Sequence, residues 1–166
     1  MRIYGNSYRS KVEEVAAMIP TELDDSQKLK WISDYLLENA EVYQIQDSEG
    51  IDEIDETDDK EMDPEKLLAT GYGALSLHSA TEKGYMEAFG LIAEKAGIYT
   101  IAAMDNKSHH YWNMVQMDGQ WKAINLYEMD RSTEQKEQYY LVDNEEMEKR
   151  LDAKGTYGLC DWIGLP

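Results

Sequence analysis

A lone thiol, a pair of adjacent imidazoles and a crowded run of carboxylates are the groups here whose types and spacing could do chemistry. Cys160 is the single cysteine of the 166 residues. It lies in Gly158-Leu159-Cys160-Asp161-Trp162, among apolar neighbours that suit a buried structural thiol better than an activated one. One cysteine also excludes an internal disulfide framework and a Cys-based zinc site. His109 and His110 could start a metal site. Adjacent residues on a strand point to opposite faces, however, so the two rings are not expected to share one ion. Between Ile51 and Asp63, Asp and Glu dominate and supply hard oxygen ligands of the kind calcium takes. A calcium loop of the EF-hand type needs a central Gly, and none occurs between Ile51 and Thr70. Residues 52–63 are therefore expected to form an acidic loop, and neither a metal site nor a cofactor is expected.

The overall charge narrows the partners. The chain carries 34 acidic and 16 basic residues, net −18. A field of that sign repels phosphate backbones, which argues against nucleic acid. No apolar run approaches the roughly 18 residues that a membrane span requires. Hydrophobic residues make up 42%, with four Trp and twelve Tyr against a single Phe. A chain of this size and content can bury a real core as one domain over residues 1–166. The start does not read as a signal peptide. The compartment stays open: cell surface or extracellular if a leader has been removed, cytoplasmic otherwise.

Periodicity supplies the elements that must position any site. Residues 7–19 read as an amphipathic helix with Val12, Val15, Ala16 and Ile19 on one face, stopped by Pro20. A second helix begins near Asp25 or Ser26 and buries Leu29, Ile32, Tyr35 and Leu36. Pro64 opens a short helix over residues 65–70. A longer one follows over 81–96, burying Tyr85, Phe89, Ile92 and Ala96, with Gly97 suited to a left-handed cap. Strands are expected at 99–104, 110–117 and 120–125. Asp118-Gly119 joins the last two as a hairpin. Alternation puts His110, Trp112, Met114 and Gln116 on one face and Tyr111, Asn113, Val115 and Met117 on the other. A fourth strand is expected at 139–142.

Two segments resemble a known family. One is Glu82-Lys83-Gly84-Tyr85 at a helix start; the other is His110-Tyr111-Trp112-Asn113, followed by Trp121 and then Asn125. Together they resemble the bacterial transglutaminase-like family within the cysteine protease superfamily. Its pattern is Cys-x-Gly-Tyr, then His-x-Trp-Asn on a strand, then an Asp shortly after a Trp. The likeness is strongest over 71–125, where Gly71-Tyr72-Gly73-Ala74-Leu75 contributes, and extends over about 25–151. It implies a papain-like α+β fold, with helices packed on an antiparallel sheet and the nucleophile position at a helix N-terminus. It also implies that Glu82 stands where the family has its Cys, that His110 keeps the family's His, and that Asn125 replaces the Asp.

The chemistry of the family needs a thiolate, activated by the helix dipole and an adjacent imidazolium. A carboxylate at that position is a weak nucleophile toward amides, although electrostatically comfortable beside a His. An Asn at position 125 could still orient an imidazole, as it does in papain-type enzymes. The expectation is a catalytically inactive domain, a pseudoenzyme, that serves as a binding or structural module for a protein, peptide or glycan. The alternative is an enzyme of altered chemistry, with Glu82 and His110 as an acid/base pair or with a metal assisting hydrolysis. Tyr85, Trp112, Trp121 and His109 are the candidate cleft residues around the degenerate triad.

Overall fold

The computed structural model describes residues 2–44, 64–105, 107–132 and 134–158. The acidic segment 52–63 and Cys160 lie outside them. In chain order the elements are helices α1 (Arg2–Met18) and α2 (Asp25–Asn39), strand β1 (Glu41–Val42) and helix α3 (Pro64–Leu68). A π-helical turn (Gly73–Leu77) and strand β2 (Ser79–Ala80) lead into helix α4 (Glu82–Lys95). Strands β3 (Thr100–Asp105), β4 (His110–Met117) and β5 (Gln120–Ile124) follow. The rest is helix α5 (Leu126–Arg131), a 3-10 turn (Lys136–Tyr139), helix α6 (Asn144–Leu151) and strand β6 (Thr156–Gly158).

Local chemistry explains where the main helices begin. The Asp24 carboxylate accepts from the Gln27 amide at 2.8 Å, and the Gln27 side chain accepts from the Asp24 amide at 3.0 Å, closing a capping box on α2. Leu29, Ile32 and Leu36 then bury one face of that helix. Thr81 caps α4, accepting from the Gly84 amide at 3.4 Å. Two backbone connections hold that cap. β1 and β2 pair in parallel with Val42 opposite Ala80, and the Thr81 amide donates to the Leu68 carbonyl at 2.9 Å. Gly84 is needed here because a Cβ would come within 2.6 Å of the Leu68 carbonyl oxygen. The first turn of α4 is thus wedged against α3.

The main sheet is antiparallel throughout, in the order β5-β4-β3-β6. Asp118 and Gly119 both take positive φ, 50° and 76°, as the hairpin joining β4 and β5 requires. Gly97 likewise adopts φ 84° just beyond α4. The sheet is covered on both faces. Phe89 and Ile92 of α4 pack with Val115, Ile124 and the inner faces of α1 and α2. On the other side Trp112, Met114 and Ala123 pack with Met147 and Leu151 of α6. Phe89, Ile92, Trp112, Met114, Val115 and Ile124 are all buried, divided between these two clusters.

Several sequence expectations change. The fourth strand at 139–142 does not form. The chain there leaves a 3-10 turn, Leu141 takes φ 51°, and only Val142 bridges to Ala123. A left-handed residue interrupts the extended run that a ladder needs. The sheet's fourth strand is β6 instead, paired with β3. β5 ends at Ile124, and Asn125 is the N-cap of α5, an unpredicted helix.

Candidate functional site

The first residue of α4 is Glu82, and around it the fold gathers His110, Asn125 and Glu128. Glu82 is 8% exposed. Its carboxylate oxygens both lie 3.1 Å from His110 Nδ1, and its Oε1 accepts from Asn125 Nδ2 at 2.8 Å. The helix N-terminus adds a favourable partial positive charge to this anion. His110 titrates above its ordinary value, first because it hydrogen-bonds the Glu82 carboxylate; partial burial opposes the shift.

Asn125 is buried and bridges two groups of opposite need. Its Nδ2 donates to Glu82, and its Oδ1 accepts from the Glu128 amide at 3.1 Å. An acceptor on one side and a donor on the other fix the amide's orientation. An Asp here would set a second carboxylate against Glu82, so the amide fits a site with a carboxylate at position 82. The expected role of Asn125, orienting the imidazole, is replaced by a bond to Glu82 itself.

His110 opens β4 immediately after His109, which takes φ 55°. Alternation holds inside the strand. Asn113 donates to the Met86 carbonyl of α4 at 2.9 Å, whereas Trp112 and Met114 pack toward α6. His110, expected on the face of Trp112, nevertheless faces Glu82 of α4 at 3.1 Å. The preceding loop is pinned by Asp105, which accepts from the Lys107 and Lys154 amides and from Ser108 Oγ, each at 2.8 Å. The Lys154 amide first, then that of Lys107, holds the Asp105 carboxyl down at about 2.

The candidate cleft residues disperse. Tyr85 is 1% exposed and donates to Asp130 at 2.8 Å. Burial first, then that bond, pushes its phenol far above the ordinary range. Trp112 is fully buried, its indole donating to Asn144 at 3.0 Å. Both serve the core rather than a cleft. Trp121 faces Gln116 across the ladder at the far end of β4, roughly 20 Å along the strand from His110. It is exposed and packs on Tyr99 at 5.5 Å. His109 is exposed and stands apart from the cluster.

Glu128 is the member that sequence reasoning missed. Ligand atoms of Glu82, His110 and Glu128 lie within 4.8 Å of one another. Glu128 is 9% exposed and receives Arg131 Nη1 on its Oε1 at 3.0 Å. Arg131 in turn sits 5.4 Å above the Tyr127 ring. The available signal was Asn125-x-x-Glu128, the spacing of an N-cap and an acidic third residue.

With this geometry in place, solved structures supply the comparison. No protein-family profile matches the chain, and no curated protein does. A transglutaminase crystal structure is similar over 75% of this chain, at 14% identity and a TM-score of 0.50. A Parabacteroides distasonis structure, provisionally described as a protease, covers 74% at 12% identity and a TM-score of 0.44. The matched regions span 31% and 26% of those chains, so this chain corresponds to under a third of either protein. The α+β architecture, with α4 laid on the antiparallel sheet, is a transglutaminase-like fold.

Proposed function

We propose that this chain is a non-catalytic transglutaminase-like domain, working as a binding or structural module for a protein, peptide or glycan. One observation carries the reading. The group at the start of α4 is a carboxylate, 8% exposed, hydrogen-bonded by Asn125 and facing His110. Acyl transfer at that position requires a nucleophile that can be activated and reached. A carboxylate held by two partners and shielded from solvent meets neither requirement.

The test is a pair of assays, peptide hydrolysis and amine incorporation, each run with and without iodoacetamide. The native chain should be silent in both. Iodoacetamide-sensitive turnover by the native chain would overturn the reading. The Glu82→Cys variant is the informative comparison, because it restores a thiol at the helix start beside His110. A second reading has the Glu82–His110 pair acting as general acid and base, favoured by an imidazole side chain that keeps 25% exposure. It calls for turnover that ignores iodoacetamide and vanishes in His110→Ala.

A further inference from the structure

We propose that Glu82, His110 and Glu128 form a three-donor site for a divalent transition-metal ion, with Zn²⁺ the best-suited occupant. Three elements that are remote in sequence each deliver one donor: the start of α4, the start of β4 and the first turn of α5. Their ligand atoms lie within 4.8 Å of one another. Two donors on one tetrahedral zinc sit roughly 3.3 Å apart, given metal–ligand distances of about 2.0–2.1 Å. The 3.1 Å between His110 Nδ1 and the Glu82 oxygens is already at that spacing. Glu128 needs a shift on the order of 1 Å to complete the set.

A second observation concerns what surrounds the donors. Asn125 holds Oε1 of Glu82, and Arg131 holds Oε1 of Glu128. Each carboxylate is thereby oriented by an outer partner, and Oε2 of Glu82 is turned toward His110 Nδ1 at 3.1 Å, as two ligands of one ion would be. Outer hydrogen bonds of this kind orient carboxylate ligands in metal sites. The side chains are only 10% and 11% exposed for Glu82 and Glu128. Two like charges with so little water beside them favour a dication between them. One imidazole with two carboxylates is a donor set for zinc or manganese; calcium prefers six to eight oxygens. Three protein donors leave a coordination position open for water or a ligand atom.

The experiment is calorimetric titration of the chelator-stripped full chain with Zn²⁺, Mn²⁺ and Ca²⁺, with far-UV circular dichroism to check that each variant is folded. The native chain should take up one Zn²⁺ more tightly than Ca²⁺. Glu128→Gln and His110→Ala should each weaken zinc at least about tenfold, and His109→Ala should leave it unchanged. Should His110→Ala fail to fold, Glu128→Gln decides, since it alters charge with little change of shape. Co²⁺ added to the native chain should develop visible absorption bands that Zn²⁺ displaces. Zinc uptake equal in the native chain and Glu128→Gln would overturn the proposal and assign the binding to the acidic surface. No zinc uptake at all would overturn it equally. Neither result bears on the absence of thiol chemistry, which the iodoacetamide assays read separately.

Discussion

Helix α4 buries two glutamates five positions apart, and the fold treats them in opposite ways. Glu82 sits on the helix N-terminus, receives Asn125 and faces His110. Glu87 lies deeper, 1% exposed, and among the described residues nothing hydrogen-bonds its Oε2. Burial pushes the Glu87 carboxyl up to about 7; the Gly71 amide and the charge of Lys83 pull it only partly back. Depth of burial alone therefore does not decide how well a carboxylate is held. Partners and position on the helix do.

The largest expected effect comes from removing the Glu87 charge. Its folded pKa is raised above the unfolded value, so native stability falls as pH climbs from about 4.5 to about 7, then levels. A rise from 4.5 to about 7 corresponds to about 3 kcal/mol. Glu87→Gln should accordingly unfold at higher urea than the native chain at pH 8, by up to that amount, and match it near pH 4.5. A stability difference that is the same at both pH values would break the contrast between the two glutamates.

Removing His110 should act in the other direction. In chelator-containing buffer His110→Ala leaves Glu82 shielded with Asn125 as its remaining partner, a loss of about 2 kcal/mol for a partly exposed pair. The folded pKa of His110 is raised, so its contribution is complete below about pH 6.5 and fades as pH rises through the folded value. Urea melts of native and variant chains should therefore converge in alkaline buffer. A gap that widens with pH would reverse the assigned sign.

Asn125→Ala sharpens the comparison with the smallest change. It removes both the donor to Glu82 and the cap of α5, for a loss of about 1–2 kcal/mol in the same melts. Because the amide touches Glu82 and not Glu87, the pH-dependent advantage of Glu87→Gln should survive unchanged in the double variant. Interaction between the two substitutions would show that the two carboxylates share a common field.

Much of this was legible in the residues. Val12, Leu29, Ile32 and Phe89 recur at helical spacing, and Asp118-Gly119 marks the hairpin, because periodicity and turn chemistry are local signals. Glu82, His110 and Asn125, each singled out in the sequence, lie within hydrogen-bonding distance of one another through the Glu82 carboxylate. The failures have physical causes. Tyr139-Tyr140-Leu141-Val142 has strand composition, yet Leu141 adopts a left-handed conformation that composition does not report. Trp121 resembles a cleft aromatic by its place in the pattern, but its exposure depends on which edge of the sheet it occupies. Glu128 escaped because α5 is six residues long, too short for any periodicity to declare it.

The two-sided amide of Asn125 ties the chemistry of two positions together. Its Nδ2 donates to Glu82 at 2.8 Å, and its Oδ1 accepts from the Glu128 amide at 3.1 Å. An Asp at position 125 would still accept on the second side, but on the first it would set one anion against another. A carboxylate at 82 therefore calls for an amide at 125, while an uncharged group at 82 would leave either residue admissible there. The residues at 82 and 125 are a single choice written at two places in the chain.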